Sequence, residues 1–152
     1  DPIDGTMNFM HAVPVFAITM ALERKNEIVA GVTYNPISDE MFTAEKGSGA
    51  FMNNRRLRVA ARRELHEALV AYEIPNRGSK DLPLSRAEIG VLQGRVNGIR
   101  GMGSVALGLG YLAAGRVDAL VCRNIQSWDI AAGVLLFALA MQAWRELQPR
   151  PA

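Results

Sequence analysis

The chain contains one cysteine, Cys122. No internal disulfide can form, which excludes a disulfide-stapled secreted scaffold and fits a reducing, cytoplasmic setting. Long apolar runs are missing too. The longest, Ile130 to Met141, is shorter than the ~20 residues a helix needs to cross a bilayer, so no membrane partner is expected. Charge of one sign is nearly balanced: the formal net charge is +2, too little for the field a nucleic-acid binder presents. The densest basic stretch, Arg55-Arg56-Leu57-Arg58 with Arg62-Arg63, has no aromatic residues among its arginines for base stacking. It reads as a solvated turn and helix start, and no nucleic-acid partner is expected. His11 stands alone, without a cysteine or histidine at the spacing of a soft-metal site. The chain opens on acids and a proline rather than a basic, apolar leader, and no internal repeat or low-complexity segment is present.

What is present suits one globular domain with a real core: 152 residues, 49% apolar and 21% charged. Short strands are expected at Val13 to Leu22, Ile28 to Tyr34, Glu40 to Ala44 and Ala50 to Met52. A hairpin at Asn53-Asn54 leads into Leu57 to Val59. Turns of two to five residues between such strands imply an antiparallel meander. The pattern changes near Ala60. A strand at Leu69 to Tyr72, a loop at Asn76 to Pro83 and a helix at Leu84 to Leu92 follow. Val105, Leu109, Leu112 and Ala113 recur at helical spacing, with Ser104 as N-cap and Gly115 just past the end. A buried-type strand at Val117 to Cys122 and a helix from about Asp129 complete the reading. The fold class is α+β, a layered αβ sandwich, with residues 1–59 as the meander and 60–152 as the α/β half of one domain. Trp128 and Trp144 read as packing residues, and Cys122 as a small buried one.

The chemistry concentrates at the start, in Asp1-Pro2-Ile3-Asp4-Gly5-Thr6. Pro2 fixes its own φ and pushes Asp1 toward extended backbone, which can aim two carboxylates and the Ile3 carbonyl into one space. Such hard oxygen donors suit Mg²⁺ rather than zinc. Gly5 and Thr6 can open a helical turn whose free amides hold an anion, which favours a phosphate ester beside the metal. Asp-Pro and Asp-Gly are also ordinary turn words, so these six residues alone leave a turn and a metal site both open.

Asp1 to Phe9 resembles the D-P-[IL]-D-G-T-x-N-F signature of the inositol monophosphatase family, Mg²⁺-dependent and Li⁺-sensitive phosphatases related to fructose-1,6-bisphosphatase. Trp128-Asp129-Ile130-Ala131-Ala132-Gly133 is similar to the family's second motif, W-D-x-A-[AG]-G. Gly47-Ser48-Gly49-Ala50-Phe51 with Asn53 resembles its G-x-G-A-F-x-N hairpin. Arg100 to Ala106, then Ala113 to Asp118, resemble R-x-x-G-[ST]-A-A and A-x-G-R-x-D. The resemblance implies a sugar-phosphatase fold and two or more Mg²⁺ ions, with Li⁺ inhibition. It implies that Asp1 bridges two metals, the Ile3 carbonyl binds the first, and Asp4 and Asp129 bind the second. Gly5 and Thr6 would give amides to the phosphate, and the Thr6 hydroxyl would orient the attacking water. Ser104 and Val105, with Asp129, would face the substrate, a small-molecule phosphate ester. A homodimer is expected on the same ground.

Three departures qualify these expectations. The family carries residues before the Asp-Pro motif, including a Glu ligand, whereas this chain opens on Asp1; a fragment is the expectation. Cys122 stands where the family often has a substrate-facing Glu. The stretch from Phe137 to Ala152 matches no family pattern. Three other substrates therefore stay open beside inositol or sugar phosphate: histidinol phosphate, fructose bisphosphate and nucleotide 3′-phosphate. An inactive remnant or binding module also remains as an alternative.

Overall fold

A computed structural model describes residues 1–146. Five strands form an antiparallel meander in sequence order: β1 (Ile18–Arg24), β2 (Glu27–Asn35), β3 (Glu40–Glu45), β4 (Gly49–Met52) and β5 (Arg55–Arg56). A short helix, α1 (Thr6–Met10), precedes them. The second half holds β6 (Leu69–Tyr72), α2 (Leu82–Gln93), β7 (Gly98–Arg100), α3 (Val105–Ala113), β8 (Ala119–Val121) and α4 (Ser127–Glu146). Its three strands form a parallel sheet in the order β7-β6-β8.

The layers follow from which side chains each strand buries. On the meander, Thr19, Thr33, Phe42, Ala44 and Ala50 point inward, against α4 and α3. On β6, Ala71 joins Val105 and Leu109 of α3, while its neighbour Tyr72 faces the other way, toward α2. The order is therefore sheet, helix pair, sheet, helix. The outer face of the meander is left open. Ile18, Met20, Leu22 and Met41, which share that face by register, are exposed.

Several boundaries differ from the sequence reading, each for a local reason. The first strand starts at Ile18, not Val13, because Pro14 interrupts the run and Val13 and Val15 make turn-type bonds to the Asn8 and Val13 carbonyls. Ala17 instead forms an isolated bridge with Asp4. The strand after Asn53-Asn54 is Arg55–Arg56; Leu57 keeps one bond to the Ala50 carbonyl, and Arg58 and Val59 leave the sheet. No helix starts at the arginine run. Arg62 instead clamps Asp118 at 2.7 and 2.9 Å, and a 3₁₀ turn follows at Leu65–Glu67. Helix α2 begins at Leu82, with Pro83 in its first turn, where a missing N–H does no harm. Helix α4 begins at Ser127, two residues earlier than expected, and runs through Phe137 and Trp144 as far as Glu146. By length and composition α4 is apolar enough to cross a membrane; it packs against β1 to β4 and α3 through its buried residues Ala132, Gly133, Leu136, Ala140 and Ala143. Trp128 is not a core ring: it is 60% exposed. The expected tail beyond 146 lies outside the described residues.

Candidate metal centre

Residues 1–4 run antiparallel to residues 17–19. The Asp1 nitrogen donates to the Thr19 carbonyl at 2.9 Å, and the Thr19 amide donates back to the Asp1 carbonyl at 2.9 Å. Asp4 and Ala17 exchange a second pair at 2.8 and 2.9 Å. This ladder fixes the Asp-Pro-Ile-Asp backbone beside the end of the meander. The Ile3 amide donates to Asp1 Oδ1 at 2.8 Å, an Asx-type bond that turns the Asp1 carboxylate back over its own backbone.

Asp129 arrives from the other end of the chain, in the first turn of α4. The small residues after it explain its position. A Cβ on Gly31 of β2 would lie 2.8 Å from the Ala132 Cα, and one on Gly133 would lie 2.5 Å from Leu109 of α3. Only small residues let α4 wedge this closely between the meander and α3, so Ala132 and Gly133 of the second motif meet a packing requirement that places Asp129.

Asp1, Asp4 and Asp129 each offer a carboxylate oxygen, and these oxygens lie within 4.8 Å of one another. Asp4 is buried. Its Oδ2 accepts the Ser104 hydroxyl at 2.5 Å and the Ala106 amide at 2.8 Å, so it caps the start of α3. Its Oδ1 has no partner among the described residues. Asp129 Oδ1 is buried and has no hydrogen-bond partner among the described residues. Burial, and next the negative charge of Asp4, push the Asp129 carboxyl above the ordinary aspartate range. A buried unpaired carboxylate oxygen facing two more carboxylates is unfavourable without a cation. The donor set is all hard oxygen, so the residues present fit Mg²⁺.

The other predicted residues are placed as follows. The Ile3 carbonyl accepts the Thr6 hydroxyl at 2.9 Å, which leaves it one lone pair. Gly5 takes a left-handed φ of 91° at the N-cap of α1; a Cβ there would lie 3.0 Å from the Val15 carbonyl oxygen. The amides of Gly5 and Thr6 have no partner among the described residues, and Thr6 is exposed. Ser104 is 1% exposed and caps α3 by accepting the Leu107 amide, while Val105 packs in the core with Ala71 and Leu109. The structure thus joins Ser104 to Asp4 and turns the Val105 side chain away from solvent. Cys122 is half-buried, and burial, then the charge of Glu73, raise its thiol.

The sequence reading gave no role to Glu73 or Asn8. Glu73 follows β6, takes the Met102 and Gly103 amides, and is raised by burial despite those two bonds. Its signal was a carboxylate directly after a buried strand, the end of a parallel sheet where sites gather. Asn8 was hidden inside the first motif, although an Asn within a helix is itself a hint of a side-chain task.

A sequence profile described as the inositol monophosphatase family matches residues 1–138. The chain belongs to the inositol monophosphatase family. An inositol-1-monophosphatase of Rhizobium meliloti (strain 1021) is 50% identical over 136 residues, which is 90% of this chain and 51% of that protein. A Nus factor SuhB of Pseudomonas aeruginosa is 42% identical over 138 residues, covering 90% and 51%. Among solved structures, the extragenic suppressor protein suhB of Bartonella henselae superposes with a TM-score of 0.89 at 49% identity, covering 92% of this chain and 54% of that one. The family's layered α+β architecture, an antiparallel sheet with helices and a parallel sheet, is the one described above. The chain spans about half the length of the curated relatives it matches.

Proposed function

We propose that this chain carries the metal centre of a Mg²⁺-dependent phosphomonoesterase acting on an inositol or sugar phosphate. The observation that carries the reading is the trio Asp1, Asp4 and Asp129, together with the buried Asp129 Oδ1 that finds no hydrogen-bond partner among the described residues. Asp1, the Ile3 carbonyl, Asp4 and Asp129 would hold the ions. Bound there, Mg²⁺ supplies Lewis acidity, which neutralises charge on the phosphoryl and leaving oxygens and lowers the pKa of water.

The chain's own groups do the rest. The Thr6 hydroxyl donates a hydrogen bond to the Ile3 carbonyl, which leaves its lone pairs to accept from water and orient it for in-line attack. The Gly5 and Thr6 amides are the donors available to the phosphate, at the positive end of a helical turn. Ser104 does not need to touch substrate to matter: its hydroxyl fixes one oxygen of Asp4 and leaves the other for the ion.

The relatives named Nus factor SuhB motivate a second reading, a binding module that works without turnover. One assay separates the two. Phosphate release from inositol 1-phosphate, measured with and without Mg²⁺, is expected and is lost in Asp4→Asn. Divalent-ion binding with no release on inositol, sugar or histidinol phosphates sinks the catalytic reading and favours the module.

A further inference from the structure

Residues 101–103 connect β7 to α3 and end at Ser104, which together with Ala106 holds Asp4 Oδ2. Two side chains grip this loop from different elements. Glu73, just past β6, accepts the Met102 amide at 3.1 Å with Oε1 and the Gly103 amide at 2.9 Å with Oε2. Asn8, in α1, donates through Nδ2 to the Met102 carbonyl at 2.8 Å and to the Val15 carbonyl at 2.7 Å. Gly103 has φ +70°, and a Cβ there would lie 2.6 Å from Asn8 Nδ2. The loop and Asn8 therefore fit together only because this residue has no side chain.

We propose that Glu73 and Asn8 are positioning residues for the metal centre. By pinning residues 101–103 between β6 and α1, they hold the Ser104 and Ala106 donors on Asp4 and so aim its free oxygen at Asp1 and Asp129. This rests on the metal-site reading above. The electrostatics point the same way. A half-buried carboxylate within reach of Asp4's charge opposes folding unless it satisfies other groups. Glu73 satisfies two loop amides that no strand or helix uses. Outer-shell groups that orient a ligand change metal affinity by ~10–100-fold when removed.

The test uses residues 1–152, with Mn²⁺ as probe. Mn²⁺ binding is followed by electron paramagnetic resonance, and protection of the Ala106 amide by hydrogen exchange in the metal-free protein. Glu73→Ala and Asn8→Ala are compared with Glu73→Gln, which keeps the volume and one acceptor. Glu88→Gln, which disturbs the Tyr72 and Arg123 contacts on the far side of β6, is the control. The expected result is ~10–100-fold weaker Mn²⁺ binding and faster Ala106 exchange in Glu73→Ala and Asn8→Ala. Glu73→Gln falls between these and the parent, and Glu88→Gln leaves both readouts unchanged. Parent-like Mn²⁺ binding and exchange in Glu73→Ala and Asn8→Ala overturn the positioning role. If the parent binds no Mn²⁺, the metal reading falls, and Ala106 exchange alone then decides whether the clamp on Asp4 exists.

Discussion

Asp129 is the residue where stability and the proposed metal role pull apart. Its carboxylate is destabilised by burial and by Asp4, so its proton is held more tightly in the fold than in the unfolded chain. For an acid shifted upward, the penalty is absent below the unfolded pKa and grows as pH rises through the folded one. Asp129→Asn is therefore expected to raise the melting temperature of the metal-free chain at neutral pH, with the gain vanishing in acid as Asp129 itself protonates. The same change removes divalent-ion binding, a loss larger than the ~100-fold ceiling of outer-shell changes. A melt at two pH values beside an ion titration checks both halves. Ser104→Ala removes the α3 cap, worth ~0.5–2 kcal/mol, and one of two donors on Asp4. It should lower both the melting temperature and Mn²⁺ affinity. A drop in stability with unchanged affinity would reduce Ser104 to a cap. At this scale Asp1 and Asp4 stood out because they lie close together in one short stretch, whereas Asp129 came only through the second family motif it belongs to. The bonds from Ser104, Glu73 and Asn8 were not legible, because contacts between distant residues leave no local pattern.

Among the elements, α4 sets the geometry. Its close approach at Gly31 and Gly133 predicts that Gly133→Ala overpacks against Leu109, destabilising by ~1–3 kcal/mol and shifting Asp129. Thermal melts and ion titration of that variant are the check; an unchanged melt would mean that α3 and α4 can separate freely. The meander makes the opposite prediction, since its outer face has too little packing. Ile18, Met20 and Leu22 are exposed apolar side chains on one strand face. Met20→Lys with Leu22→Lys should reduce dye binding and self-association without loss of fold. β2 to β4 and α3 were readable because periodicity and turn residues agreed, while β5 came two residues earlier than expected. β7 was not readable, because three residues carry no period, and the first strand was overextended because Pro14 outweighs the β-propensity around it.

At the scale of the whole molecule, two sheets meet through α3 and α4, and the site forms where Asp1 and Asp4 of the first half meet Asp129 of the second. The motifs' order and spacing identified the layered fold. They did not reveal that the Asp4 carboxylate also ties the halves together, by accepting the Ser104 hydroxyl and the Ala106 amide at the start of α3. The central claim is that these three aspartates hold divalent cations in one place. Titration of Mn²⁺ into residues 1–152, with Mg²⁺ as competitor, tests it most directly. Saturable binding displaced by Mg²⁺, and lost in both Asp4→Asn and Asp129→Asn, is predicted. No binding by the parent, or binding by both variants as tight as the parent's, would contradict it.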